Sequence, residues 1–300
     1  MSENLAHAGA IQVRRPLILD LLTLTKPELT LLSVVTALGA AYLASAAGHD
    51  LGVLLHTFVG TSLVGGGAGT LNQYVERNLD AVMRRTENRP VPSGRVGQRA
   101  ALLFGLTLSI GGVAHLALFT QPLAAVLAVA TLASYLLLYT PLKRVTPFAT
   151  VVGGIPGALP PLIGWSAVTG DLAMGAWSLF FILFFWQMPH FLALGWMYRK
   201  DYARAQYRLL TVVDPSGEAA SRQILIYSIA LVPASLMPTM VGVLGLLYFV
   251  GALILSVTLL QFAIRLYRDR SNVNARKLFF GSLIYLSLLV GLMIVDRVVG

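Results

Sequence analysis

Long apolar runs alternate with short polar breaks along the chain. Apolar segments fall near 28–47, 51–71, 99–118, 121–140, 147–168, 173–196, 223–241, 242–264 and 278–298. Each is long enough to cross a hydrocarbon core of about 30 Å as a helix. In lipid every backbone N–H and C=O must be paired within the protein, and runs without two-residue alternation suit helices rather than the strands of a membrane barrel. The pattern predicts an all-α, polytopic membrane bundle of about nine transmembrane helices. It forms one domain over 28–300, after a cytoplasmic N-terminal arm over 1–27.

Composition sharpens this only by exclusion. With 56% hydrophobic residues, 12% charged residues and a mean hydropathy of +0.74, the chain lies far from a soluble domain, where about a quarter of residues are charged. Cysteine is absent, which excludes disulfides, thiolate metal ligands and iron–sulfur clusters. Any metal must use oxygen or nitrogen ligands. The N-terminus has Arg14 and Arg15 but no short apolar core with a small-residue cleavage site, so no cleaved signal is expected.

Charge adds orientation. Lysine and arginine gather at Arg14, Arg15 and Lys26, between Arg77 and Arg99, at Lys143 and Arg144, between Arg199 and Arg222, and between Arg265 and Lys277. Alternate connections such as Gly48-His49-Asp50, Thr120-Gln121-Pro122 and Thr169-Gly170-Asp171 carry none. The positive-inside rule then places the N-terminus and the basic loops in the cytoplasm and the C-terminus outside, as in an inner-membrane protein of a bacterium. The net charge of +9 is a one-sided field, which fits orientation against anionic lipid or attraction of an anionic substrate. No nucleic-acid partner is expected, because the basic residues sit in separate loops between spans without a recognisable binding module.

Three polar clusters on the basic side carry candidate chemistry. After the second span, Gly65-Gly66-Gly67-Ala68-Gly69 leads into Asn72, Glu76 and Asp80, spaced i, i+4, i+8. On a helix these form one stripe, with neighbours about 6 Å apart along the axis, able to hold a hard cation such as Mg²⁺. A solvated helix end is the plainer alternative. Arg84, Arg85 and Arg89 follow before Pro90 and Pro92 end the helix, and carboxylates beside guanidinium groups suit a metal-bound diphosphate.

The second cluster is Tyr139-Thr140-Pro141-Leu142-Lys143-Arg144, where Pro141 should disfavour a helical Thr140. Taken alone, this cluster reads better as an interfacial Tyr-Lys belt. The third runs from Trp186-Gln187-Met188-Pro189-His190-Phe191 to Tyr198-Arg199-Lys200-Asp201-Tyr202. His190 lies at membrane depth and needs a partner, as a ligand or as a structural histidine. Gly153-Gly154-Ile155-Pro156-Gly157 and Pro160-Pro161 predict an irregular fifth span, either a substrate-facing wall or a site of close helix packing.

Taken in order, these clusters resemble the UbiA family of membrane prenyltransferases. The resemblance spans the first six segments and implies a helix bundle around a central cavity, with an isoprenyl diphosphate at the cytoplasmic mouth. It implies that Asn72, Glu76 and Asp80 hold Mg²⁺, that Asp201 serves a second metal region, and that Tyr139 borders the reactive carbon. Arg85, Arg89, Lys143, Arg144, Arg199 and Lys200 would bind substrate. The Trp186-Gln187-x-Pro189-His190-Phe191 element points to haem rather than a quinone precursor as acceptor, with His190 beside it. The implied reaction joins farnesyl diphosphate, haem B and water to give haem O and diphosphate. A haem-modifying enzyme or a terminal oxidase assembly would then be a fitting partner. The alternatives are another aromatic acceptor and a non-enzymatic haem carrier, from which magnesium-dependent diphosphate release would distinguish an enzyme. Two positions depart from the family pattern: Glu76 stands where aspartate is common, and Gln206-Tyr207-Arg208-Leu209-Leu210 replaces a Gly-Ile-Pro-Met-Leu type of sequence.

Overall fold

A computed structural model describes residues 16–45 and 50–299. The N-terminal arm up to residue 15, with Arg14 and Arg15, and His49 of the first outer connection lie outside the described residues. Among the described residues all regular structure is helical. In order these are α1 (Leu17–Leu24), α2 (Pro27–Ala44), α3 (Leu51–Asp80), α4 (Gln98–Phe119) and α5 (Pro122–Ala133). A π-helical turn over Ser134–Tyr139 joins α5 to α6 (Thr140–Leu142), followed by α7 (Ala149–Ala158), α8 (Pro160–Thr169) and α9 (Met174–Met197). Then come α10 (Arg199–Arg204), α11 (Leu210–Val213), α12 (Glu218–Met240), α13 (Leu246–Arg268) and α14 (Asn272–Val299).

Among the described residues nine helical segments are long and apolar enough to span a membrane, counting α5 through α6 and α7 with α8 as one each. The protein is an integral membrane protein. Neighbours in sequence pack side by side, α2 on α3, α3 on α4, α4 on α5, α12 on α13 and α13 on α14, and α14 touches α2 to close the ring. The fifth and sixth spans form the centre, with 72% and 67% of their apolar stretches buried against 22–39% for the others. Outer helices instead expose side chains such as Leu103, Ile110, Leu137 and Ile254, because lipid is as apolar as a protein core.

Local chemistry sets the helix ends. Asp50 caps α3 by accepting from the Gly52 and Val53 N–H groups at 2.8 and 3.3 Å. Pro122 and Pro160 open α5 and α8, where a missing N–H costs nothing. The fifth span breaks at Leu159 between α7 and α8, as its Gly and Pro content predicts. Its small residues serve packing: a Cβ at Gly164 would lie 1.8 Å from the Ala37 carbonyl oxygen of α2.

The N-terminus of α13 takes its cap from another helix. Asp296 of α14, 6% exposed, accepts from the Gly245 and Tyr248 N–H groups at 2.5 and 2.9 Å. Asp296→Ala orphans two backbone donors and should cost about 1–3 kcal/mol, read as a lower unfolding midpoint in detergent. An unchanged midpoint would mean that water replaces the carboxylate.

Two expectations about helix ends are corrected. Thr140 precedes Pro141 yet stays helical, with φ −59° and ψ −47°, because the wide π turn before it makes room for the proline ring. The helix after the second span ends at Asp80, well before Pro90, and residues 81–96 form successive turns. The Thr86 hydroxyl donates to the Asp80 carbonyl at 2.9 Å and folds this segment back over the helix end.

Candidate active site

Helix α3 continues beyond its apolar run, so Asn72, Glu76 and Asp80 do lie along one face of its last turns, 1%, 5% and 1% exposed. Gly67 lets α3 approach α4 closely, since a Cβ there would meet the Ser109 hydroxyl oxygen at 2.3 Å. Buried acids need compensation, and the structure supplies a cation for each. Lys143 Nζ lies 2.5 Å from Glu76 Oε1, and Arg89 Nη1 lies 2.8 Å from Asp80 Oδ2. Asn72 bridges the row: its Nδ2 donates to Glu76 Oε2 at 2.9 Å, and its Oδ1 accepts from Lys26 Nζ at 2.5 Å.

The connections deliver these cations. The turns of 81–96 carry Arg89 back to the last residue of α3, and Arg95 anchors them to the buried Asp20 of α1 through Nε at 3.0 Å. The π turn presents Lys143 just beyond α6, its Nζ 4.7 Å from the centre of the Tyr139 ring. That ring lies against Gly153 of α7, where a Cβ would come within 2.5 Å of it, so the glycine makes space for a site residue.

Two residues enter the site that sequence reading did not assign to it. Lys26 and Tyr207 both owe their placement to backbone in the left-handed region, unusual outside glycine. Lys26 itself has φ 49°, and Gln206, just before Tyr207, has φ 56°; these are the only such non-glycine residues among those described. The Tyr207 hydroxyl donates to Glu76 Oε1 at 2.9 Å, and the Arg208 N–H donates to the Lys143 carbonyl at 2.8 Å, so this loop holds both members of the ion pair. Strain of this kind costs about 1–3 kcal/mol and persists where surrounding contacts enforce it. The signals were present, a lysine directly before Pro27 and the divergent Gln206-Tyr207-Arg208 segment, but neither reveals what it touches.

Lys26, Lys143 and Arg89 are three bases facing two acids, Glu76 and Asp80. Burial alone would lower the pKa of Lys143, but Glu76 together with the Tyr139, Tyr207 and Tyr135 hydroxyls outweighs it and raises the pKa well above the usual lysine value. Lys26 bears the surplus: desolvation, with Arg89 and Lys143 adding to it, lowers its pKa to about 7. A site with spare positive charge is poised for an anion.

The other candidates lie around this centre. Arg85 Nη2 donates to the Tyr202 hydroxyl at 3.3 Å, and its guanidinium lies 5.4 Å from the Tyr198 ring centre. Arg144 and Lys200 are exposed. Arg199 turns to Asn272 at 2.9 Å and the Trp196 carbonyl at 2.6 Å. Asp201 pairs with Arg204 on its own helix, and no described hydrogen bond or ion pair joins it to the α3 stripe. His190 is buried away from these charges. Its Nδ1 and Ser282 Oγ share a hydrogen bond of 2.8 Å, and its ring stacks between Trp186 and Phe279 at 5.0 and 4.6 Å.

Among the described residues no three His, Cys, Asp or Glu side chains gather around one point. Mg²⁺ does not require that, since it usually takes one or two carboxylates and completes its shell with water and phosphate oxygens. Asn72 Oδ1, Glu76 Oε1 and Asp80 Oδ2 are hard oxygen donors, and each already faces a cationic nitrogen. The donor set therefore fits a divalent cation shared with a polyphosphate.

Spanning helices closed around a mouth of interleaved acids and bases define a membrane protein with a charged site suited to a metal-bound polyphosphate. The chain matches the UbiA prenyltransferase family over residues 33–288, and it belongs to that family. It is 47% identical to a protoheme IX farnesyltransferase of Solibacter usitatus, over 93% of this chain and 98% of that one. The fold resembles a digeranylgeranylglyceryl phosphate synthase with a TM-score of 0.78 at 18% identity, covering 93% of this chain and 98% of the other. It also resembles a UbiA homolog from Archaeoglobus fulgidus bound to GPP and Mg²⁺, with a TM-score of 0.60 at 12% identity, covering 91% and 99% of the two chains.

Proposed function

We propose that this protein is a Mg²⁺-dependent prenyltransferase that moves a farnesyl group from farnesyl diphosphate to a vinyl group of haem B. Water adds in the same reaction, giving haem O and diphosphate. The observation that carries the polyphosphate half is the surplus of base around the buried Glu76 and Asp80. The likeness to protoheme IX farnesyltransferase over nearly the whole chain supports the acceptor.

Asn72, Glu76 and Asp80 would hold Mg²⁺, and Asp201 would serve a second metal region. Bound there, the metal supplies Lewis-acid neutralisation of the leaving diphosphate. Lys26, Lys143 and Arg89 then meet the remaining diphosphate oxygens, with Arg85, Arg144, Arg199 and Lys200 as the outer ring of positive charge. Loss of diphosphate from an allylic carbon leaves positive charge on the chain. The Tyr139 ring, which already faces the Lys143 ammonium, is suited to stabilise it. The vinyl group supplies the electrons of the new carbon–carbon bond, and the packed helix walls limit competing water.

The basic mouth faces the cytoplasm of a bacterial inner membrane in this reading, and a haem-modifying enzyme or terminal oxidase assembly would receive the product. Purified protein in detergent, given haem B, farnesyl diphosphate and Mg²⁺, should yield a hydroxyethylfarnesyl haem detectable by mass. An Asp80→Asn control should yield none. Intact haem from a folded preparation that binds farnesyl diphosphate would transfer the reading to another aromatic acceptor.

His190 belongs to the acceptor side in this proposal. His190→Phe keeps a ring between Trp186 and Phe279 but removes both nitrogens. Haem turnover should fall at least about tenfold while farnesyl diphosphate affinity holds, consistent with one lost polar contact of about 1.4 kcal/mol. Unchanged turnover would reduce the histidine to packing.

A further inference from the structure

On the outer side of α14, away from His190, a cleft of about 720 Å³ runs between α13 and α14. Leu255, Leu259, Phe262, Phe280 and Ile284 line its length, and Arg276 and Lys277 line it on the first turns of α14. Gly281 helps keep it open, since a Cβ there would press on the Phe262 ring at 3.0 Å. Near Arg276 a second cavity of about 340 Å³ is bounded by Met197, Tyr198, Asn272, Val273 and Arg276, so that Val273 and Arg276 line both. A hydrocarbon groove thus adjoins a chamber that Asn272 and Arg276 make more polar than the groove itself.

The charges here are not neutralised from within. Arg276 and Lys277 are exposed and have no acidic partner among the described residues. The ends of the α13–α14 hairpin carry Arg265, Arg268, Arg270, Arg276 and Lys277 against Asp269, whose carboxylate is taken by Ser271 and Asn274 at 2.9 and 2.8 Å. An occupant must therefore be apolar along one part and anionic at its end. In a lipid-facing position, with Phe280 and Ile284 51% and 60% exposed, the bilayer itself provides that chemistry.

We propose that this cleft binds one anionic phospholipid, with an acyl chain along the α13–α14 groove and the headgroup phosphate against Arg276 and Lys277. The headgroup chamber borders the loop that serves the active mouth. Tyr198 lies beneath Arg85, and Arg199 bonds to Asn272 at 2.9 Å in the same region. The same loop continues to Tyr207, which reaches Glu76. A bound anionic lipid would brace the segment that holds the Glu76–Lys143 pair. This inference does not depend on the identity of the prenyl acceptor.

Native mass spectrometry of the full chain in detergent tests it, with phosphatidylglycerol and phosphatidylcholine of identical chains as probes. One saturable phosphatidylglycerol adduct is expected, at least tenfold tighter than phosphatidylcholine. Arg276→Gln with Lys277→Gln should bring phosphatidylglycerol down to the phosphatidylcholine level, and Thr258→Trp, which fills the groove, should weaken both lipids. All three positions are exposed, so the lipid-free unfolding midpoints should match the unaltered protein. Equal binding of the two lipids, or a preference that survives the charge variant, would overturn the site. Displacement of phosphatidylglycerol by stoichiometric farnesyl diphosphate would overturn it too, by making the cleft part of the substrate path.

Discussion

Glu76→Gln should lower magnesium-dependent turnover by about a thousandfold, the upper range for losing one transition-state stabilising group. The change is nearly isosteric, but the amide keeps only one acceptor oxygen, so the hydrogen bond from Tyr207 can persist while the Asn72 Nδ2 loses its acceptor. The negative charge that faces Lys143 at 2.5 Å is lost, together with a hard donor for the metal. Removing one member of a buried pair typically costs about 3–5 kcal/mol of stability, because the remaining charge is left uncompensated. The unfolding midpoint must therefore be measured beside turnover. A variant that remains folded and binds farnesyl diphosphate, but turns over about a thousandfold more slowly at every Mg²⁺ concentration, is the expected outcome. Turnover within tenfold of the unaltered protein would show that Glu76 holds Lys143 and not the metal. Glu76→Asp separates the roles further: it restores the charge but shortens the reach to Tyr207, so activity should recover only in part.

Gly164→Val should damage the protein from a distance. Its side chain would enter the space of the Ala37 carbonyl, and backbone cannot yield as a flexible side-chain tip can. Helices α2 and α8 would have to separate, costing about 3 kcal/mol, at the upper end of ordinary overpacking. Because Lys26 directly precedes α2 and bonds to Asn72, this separation should also withdraw a cation from the site. The expected result is a lower unfolding midpoint in detergent with weaker farnesyl diphosphate binding in the fraction that remains folded. An unchanged midpoint would show that the α2–α8 crossing contributes little to assembly.

Spans were legible in the sequence because crossing hydrocarbon is a requirement on each segment alone: enough consecutive apolar residues, with backbone groups paired internally. Asn72, Glu76 and Asp80 were legible for a similar reason, since a helical period fixes which residues share a face. The break near Leu159 followed from local Gly and Pro chemistry. Each depends on residues close in sequence.

Partners across the site depend on where separate segments come to rest. Lys26 meets Asn72 from 46 positions away, and Tyr207 meets Glu76 from 131 positions away. Neither spacing nor composition encodes those distances. Asp201 looked equivalent to the α3 acids by its place after a span, yet its side chain pairs with Arg204, because a nearby guanidinium on the same short helix satisfies it first. Composition and spacing sufficed to show that the chain spans a membrane and gathers acids and bases at one end of its spans. Which base meets which acid was fixed by the packing of distant segments, because a buried charge takes its partner from whatever that packing brings within reach.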